Sequence, residues 1–239
     1  MSSIIAKGLD LSEHQGNVDF NKLKAAGIDF VLLRAGYGSA NKYPDQYDTR
    51  FDEYYTKAKA AGLGVGAYWY SYAKDESMAK DEADSFLTKL KGKQFDYPVY
   101  IDAEEDKIAG QLGKDAYTKV IDKFLNAVES AGYWVGLYCS LYYLNNRVDM
   151  TKLSKYAVWC AQWNDTCQYE NAGIWQYTNK LRVNGVIGDV DGDYSYYNYP
   201  AQIKEAGLNG YKKQSDNKDL IKTKLEQIEV LANEIESLI

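Results

Sequence analysis

Short apolar runs alternate with stretches in which apolar side chains recur every three or four positions, and the alternation repeats along most of the 239-residue chain. Runs of four to eight apolar residues bounded by Gly or polar positions fit buried strands, and the three-to-four spacing fits helices with one buried face. Strands are predicted over Ile4–Leu11, Phe30–Ala35, Val65–Tyr70, Val99–Ile101, Trp134–Cys139, Ala157–Ala161 and Gly173–Tyr177. Helices are predicted over Asn21–Ala26, Thr49–Ala61, Ser77–Leu90 and Ala116–Ala131. Three of them close on Ala-Gly, at Gly27, Gly62 and Gly132, where glycine suits the left-handed position that ends a helix. Each glycine is followed within a few residues by the next strand. Such β-α punctuation implies a parallel sheet covered by helices, and its repetition favours a barrel over an open, doubly wound sheet. After about residue 140 the helical periods fade while strand-like runs continue, so the last third is expected to connect strand to strand.

The C-terminal stretch has a different pattern. Gly210 to Asn217 is polar and reads as a linker after a domain spanning residues 1–209. A helix is expected over 218–239, capped by Asp216 and with Asp219 in its first turn. Ile221, Leu225, Ile228, Ala232, Ile235 and Ile239 follow a four-three-four-three-four spacing, with Leu231 and Leu238 widening the stripe and charges on the outer face. Spacing of that kind over three heptads fits a self-associating helix, and a homodimer is the expected partner state.

The densest chemistry lies in Tyr97-Pro98-Val99-Tyr100-Ile101-Asp102-Ala103-Glu104. Alternate side chains of an extended segment share a face, so Asp102 and Glu104 project together from backbone positions roughly 7 Å apart. Two carboxyls this close need not titrate alike: one is pushed towards the neutral acid while the other stays charged, the division that cleavage of a glycosidic bond requires. In a β/α barrel the C-terminal strand ends converge on one mouth. Asp10 closes the first strand, and Asp191 lies in Gly188-Asp189-Val190-Asp191-Gly192-Asp193 after the last strand-like run. Asp189 and Asp193 compete with Asp191 for the pocket, and Val190 favours Asp191. Glu105 is placed outside the site by alternation. Glu104, at a mouth lined by Tyr68, Tyr138 and Trp163, is expected to be partly desolvated and protonated, with Asp102 hydrogen-bonded and charged. Arg34 stands in an apolar strand and needs a partner, expected to be one of the site acids. His14 reads as a hydrogen-bonded loop histidine.

Composition narrows the classes. A net charge of −6 and a pI near 5.0 leave no basic face for nucleic acid. The 23 tyrosines supply flat rings with polar tips, suited to a sugar groove as well as to a core. Three cysteines, Cys139, Cys160 and Cys167, are too few for a disulfide framework, and a single histidine argues against zinc, so no metal or cofactor is expected. No P-loop or dinucleotide fingerprint is present, Gly36-Tyr37-Gly38 being too short for a phosphate loop. No apolar run reaches membrane-spanning length, and the N-terminus lacks the basic start and apolar core of a signal peptide, so a soluble protein with no membrane partner is expected.

The segment Gly8-Leu9-Asp10-Leu11-Ser12-Glu13-His14-Gln15-Gly16-Asn17-Val18-Asp19-Phe20 resembles the opening motif of glycoside hydrolase family 25, the Chalaropsis-type lysozymes. The similarity continues through Gly27–Gly38, Gly66–Tyr70, Asp102-Ala103-Glu104, Gly136–Tyr138, Trp159–Trp163, Trp175-Gln176-Tyr177 and Val190-Asp191, covering about residues 4 to 198. The resemblance implies a flattened, irregular β/α barrel of about five β/α units followed by irregular strands. It also implies a muramidase cutting the β-1,4 bond between N-acetylmuramic acid and N-acetylglucosamine of peptidoglycan. Carried over by position, Glu104 is the general acid, Asp102 its partner carboxylate, and Asp10 and Asp191 complete the acids. Tyr68, Tyr138, Trp163, Arg34 and Gln176 are the expected substrate contacts. A wall substrate without a signal peptide suggests a phage endolysin, made in the host cytoplasm and released by a holin or by lysis. Alternative readings are a chitinase-like glycosidase, a metal-dependent phosphodiesterase that a chelator would silence, and a non-catalytic cell-wall glycan-binding module.

Overall fold

A computed structural model describes residues 3–213 and 217–236. Eight strands close a barrel in chain order: β1 (Ala6–Leu11), β2 (Phe30–Tyr37), β3 (Gly64–Tyr70), β4 (Val99–Asp102), β5 (Val135–Ser140), β6 (Ala157–Ala161), β7 (Ile174–Leu181) and β8 (Val190–Ser195). β1 to β7 pair in parallel, and β8 closes the ring antiparallel to both β7 and β1. Helices α1 (Phe20–Ala25), α2 (Phe51–Ala60), α3 (Glu76–Leu90), α4 (Asp106–Ser130) and α5 (Leu141–Asn146) follow β1 to β5 one by one. No helix lies between β6 and β7, and β7 returns directly into β8. Five β/α units and an irregular finish are therefore what the chain builds.

All seven expected strands are present. β8 is an addition: Asp191, placed after the last strand by its sequence, lies inside a strand. α5 and α6 (Tyr199–Ala206) were also unmarked, and α4 begins at Asp106 rather than Ala116, with a break at Gly113, φ 72°. The expected glycine ends hold, with φ of +83°, +74° and +88° at Gly27, Gly62 and Gly132.

Period-two alternation divides the barrel into two cores. Outward side chains such as Leu9, Val31, Leu33, Val65, Ile101 and Leu137 pack beneath the helices. Inward side chains of the lower half form a separate cluster with Phe30, Leu32, Tyr100, Trp159 and Ile174. Large rings on β2, β4 and β6 are accommodated by glycine on the strands between. A methyl group at Gly8 would lie 2.3 Å from the Phe30 ring, and one at Gly136 2.5 Å from the Tyr100 ring. Trp159 sits across the middle, its ring 5.4 Å from Tyr100, 4.3 Å from Tyr138 and 5.7 Å from Tyr68. The bore is filled, and this aromatic layer is the floor of whatever opens above it.

At the opposite, lower end, buried Asn209 accepts from the Trp134 backbone N–H at 2.7 Å and donates to the Phe95 and Tyr97 carbonyls at 3.3 and 2.9 Å. Tyr211 donates to Asp96 at 2.7 Å, so the polar stretch after residue 209 begins fastened to the barrel. α7 (Asn217–Glu236) follows, with every side chain from 221 to 236 exposed. The cap expected of Asp216 and the stripe residues Leu238 and Ile239 lie outside the described residues. Among the described residues no helix is long and apolar enough to cross a membrane.

Candidate active site

Above the aromatic floor the inward positions turn polar. Asp10 of β1, Arg34 of β2, Tyr68 of β3, Asp102 of β4, Tyr138 of β5, Gln176 of β7 and Asp191 of β8 rise around one mouth. All seven were expected there from sequence. Glu104 stands just beyond the end of β4, and Trp163 just beyond β6.

Asp102 ends β4 and is buried, 8% exposed. Burial, and then the adjacent Glu104, push its carboxyl well above the usual range, while the Arg34 charge pulls the other way. The expectation of a hydrogen-bonded, charged Asp102 is thereby corrected: its Oδ1 is buried without a hydrogen-bond partner, and the low-dielectric setting favours the neutral acid. Glu104 is half-buried, and its Oε1 accepts the Ser140 backbone N–H at 2.6 Å. Its main-chain carbonyl accepts from Tyr143 at 3.1 Å, so the first turn of α5 fixes both ends of the residue. That leaves Oε2 for proton transfer. Glu105 turns to the neighbouring wall, where Tyr70 donates to it at 3.4 Å.

Across the mouth, Asp10 pairs in register with Asp191 through the antiparallel β1–β8 ladder, and Gly8 pairs with Asp193. Burial, then Asp193 and Asp191, push Asp10 well up; the Gln176 amide opposes this by donating to Asp10 Oδ2 at 2.8 Å. Asp193 is fully buried, with Oδ1 accepting from the Trp159 indole at 2.8 Å and Oδ2 sealed without a partner. Burial pushes Asp193 well up too, and raises half-buried Asp191. Of the three candidates near 191, the structure brings two to Asp10, whereas Asp189 faces outward and pairs with Arg182. Asp193 is the acid that sequence reasoning left aside. Its signal was the one used for Asp102 and Glu104: two acids one residue apart in an extended segment share a face.

Gln176 ties the site together. Its amide donates to Asp10, and its carbonyl accepts from Tyr138 at 3.2 Å and from the Trp163 indole at 3.1 Å. Both ends are used by the protein, so its contribution is to hold an acid and two rings in place. Trp163 is 61% exposed, a flat apolar face held by one hydrogen bond at the rim. Tyr68 and Tyr138 stand between Trp159 and the carboxyls, and both phenols are pushed well up by burial first and neighbouring acids second.

Arg34 departs from expectation. Its guanidinium bridges Glu13 at 3.0 Å and Asp48 at 2.9 Å and reaches Asp102 only through its field. Those partners come from loops that the linear pattern leaves unconnected: Glu13 opens a short 3-10 turn after β1, and Asp48 lies between β2 and α2. His14 is the hydrogen-bonded loop histidine expected, 3.3 Å from Arg34. Glu13, His14 and Arg34, with Tyr37, Tyr70 and Tyr72, line a hollow of about 360 Å³.

Carboxyls thus cross the mouth in a connected line, Asp191 to Asp10 to Asp102 to Glu104, each close enough to perturb the next. Aromatic rings flank it. The profile of glycosyl hydrolases family 25 matches residues 9–186, from β1 to the turn before β8. The chain belongs to this family. The autolytic lysozyme of Clostridium acetobutylicum is 28% identical over 191 residues, covering 78% of this chain and 55% of that protein. The CTP1L endolysin has a similar structure, with a TM-score of 0.73 and 26% identity over 84% of this chain and 70% of its own. LytC, a modular autolysin of Streptococcus pneumoniae solved with a synthetic peptidoglycan ligand, gives a TM-score of 0.70 and 26% identity over 79% of this chain and 46% of its own. The chain spans about half the length of the Clostridium protein and of LytC. β8, with Asp191 and Asp193, lies beyond the family 25 match and joins the site through its pairing with β1.

Proposed function

We propose that this chain is a lysozyme that hydrolyses the β-1,4 bond between N-acetylmuramic acid and N-acetylglucosamine in peptidoglycan. The observation that carries the reading is the line of carboxyls from β1, β4 and β8 meeting at one aromatic-walled mouth. Glu104 is the general acid: with Oε1 held by the Ser140 N–H, Oε2 delivers the proton to the departing sugar oxygen. Asp102, rigid and buried beside it, orients the group on the sugar carbon under attack. Asp10 and Asp191 hold the opposite side of the sugar ring, with Gln176 fixing Asp10. Trp163 and Tyr138 offer faces on which sugar rings stack. The names of the Clostridium lysozyme, the CTP1L endolysin and the LytC autolysin support a bacterial wall as the place of action, and the endolysin likeness supports a part in host lysis.

Digestion of purified walls followed by mass spectrometry of the new reducing ends tests the bond. Muramic acid at that end is expected; glucosamine would refute a muramidase, and binding without new ends would refute catalysis. Glu104→Gln should lower the rate by about 10²–10⁴-fold without unfolding the barrel, and a rate near wild type would remove Glu104 as the acid.

A further inference from the structure

No helix follows β6, and the stretch between β6 and β7 covers its outer face instead. Trp159 points into the bore, so Cys160 beside it points outward, into the layer where Cys167 and Tyr169 pack against the same apolar cluster. Cys160 has no exposed surface. Cys167 is half-buried at the edge of a cavity of about 660 Å³ that it shares with Tyr169, Trp175 and Tyr196. The two thiols meet there: Cys160 donates to the Cys167 sulfur, and Cys167 donates to the Tyr169 carbonyl at 3.6 Å.

The backbone around the pair is already drawn together. The Gln162 amide donates to Gln168 Oε1 at 2.8 Å, and the Gln168 N–H donates to Gln162 Oε1 at 2.8 Å. Trp163 rides inside the loop that these bonds close, tied to Gln176 at 3.1 Å. Cys139 is the competing neighbour, paired in register with Cys160 from β5. Side chains paired across a sheet stand side by side on strands about 4.8 Å apart, whereas a disulfide needs Cβ atoms about 3.8 Å apart and a dihedral near 90° about its S–S bond. Cys167 reaches Cys160 from outside the sheet and is free of that constraint. The thiols are also unequal. The hydrogen bond from Cys160 lowers Cys167 below the ordinary thiol range, while the same bond and then burial push Cys160 well up. Cys167 is therefore the readier thiolate, and the one with a path to solvent.

We propose that Cys160 and Cys167 are a modification site, a dithiol that a small-molecule disulfide such as oxidised glutathione converts into an intramolecular disulfide. The Cys167 thiolate attacks one sulfur of the reagent, breaking its S–S bond and releasing one thiolate. That thiolate takes the proton of Cys160, whose sulfur attacks Cys167 Sγ and expels the second thiolate, which is protonated by water. Two protein thiols are oxidised to one disulfide, and one reagent disulfide is reduced to two thiols. The new bond closes a covalent ring over residues 160–167 and fixes the base of the loop that carries Trp163 to the rim.

Mass and stability report this bond whether or not the chain cleaves walls. The folded, full-length chain is incubated with excess oxidised glutathione, unfolded in iodoacetamide and cleaved with trypsin without reduction. No Lys or Arg stands between Tyr156 and Asn179, so both cysteines stay in peptide 156–180, while Cys139 lies in peptide 124–147. Peptide 156–180 should appear two hydrogens lighter and free of alkyl groups, with 124–147 alkylated once. Alkylation of both cysteines in 156–180, a lasting glutathione adduct on Cys167, or a link between the two peptides overturns the proposal. Cys160→Ala lacks the resolving thiol, so in that variant the adduct on Cys167 should accumulate, and a chain left unmodified overturns Cys167 as the attacking sulfur. Oxidation should raise the thermal midpoint of the unsubstituted chain and dithiothreitol should return it, because the ring restricts the unfolded state. A midpoint that stays or falls overturns the closed-loop geometry.

Discussion

Replacing Gln176 with Leu removes three hydrogen bonds while nearly conserving volume, and the three losses are unequal. Asp10 is 6% exposed, and without the Gln176 amide its Oδ2 is a buried acceptor lacking a donor, a cost of about 1–3 kcal/mol. The half-buried Tyr138 hydroxyl loses the acceptor at 3.2 Å, worth about 1 kcal/mol. The Trp163 indole, at 61% exposure, can bond to water and loses almost nothing in stability. The sum is about 2–4 kcal/mol, enough to lower the unfolding midpoint visibly without abolishing the fold of a domain this size. Activity should suffer more. An acid and two ring walls lose their common tether, and displacement by about 1 Å costs on the order of 10²-fold in rate. Wall-clearing rates measured well below the melting temperature, beside urea denaturation of the same protein, separate the two effects. Gln176→Leu retaining more than half the wild-type rate while folded would refute the positioning role. Gln176→Glu sharpens the test: it keeps acceptors for Tyr138 and Trp163 but sets a second carboxyl against Asp10, so activity should survive in acid and fall as pH rises.

Two further outcomes follow from buried carboxyls. Glu82, on α3, accepts from Ser71 and the Tyr72 N–H in the loop after β3, and burial pushes it up to about 7 from an ordinary 4.5. Its folded-state value lies above the unfolded one, so its contribution is complete below pH 4.5 and is lost as pH rises through about 7, by about 3 kcal/mol; Glu82→Gln should flatten that slope in denaturation curves, and an unaltered slope would refute the assignment. Asp193→Asn keeps an acceptor for the Trp159 indole but cannot ionise, so it should stabilise the protein at pH 8 and leave it unchanged at pH 4. Equal stability changes at both values would show that Asp193 is not the titrating group.

The strands that sequence made visible are those buried on both sides of a parallel sheet, where inward and outward positions are both apolar and the run is continuous. β8 escaped because its inward positions carry Asp191 and Asp193, and a Gly stands between them. An interior strand whose inward face is a functional site has no apolar run to announce it. The periodic pattern marks only the second half of α4, because Gly113 breaks the periodicity that its two halves would otherwise share. Most of the site was legible for the opposite reason: Asp102 and Glu104 interrupt an apolar run abruptly, as did Asp10. Arg34 and Asp193 were harder. What each needs is a partner, and Glu13, Asp48 and Trp159 lie 21, 14 and 34 residues away, distances that only the closed ring brings together.

The stopper formed by Trp159 and the rings around it has a consequence for how protons reach the carboxyls above it. Beneath the carboxyls, glycine-seated rings fill the bore from wall to wall. Under the lysozyme reading proposed above, proton exchange is then routed through the upper opening, which a bound glycan strand would cover. On that reading the hydrogen handed to a departing sugar is loaded before the strand arrives, and reloading waits until product leaves.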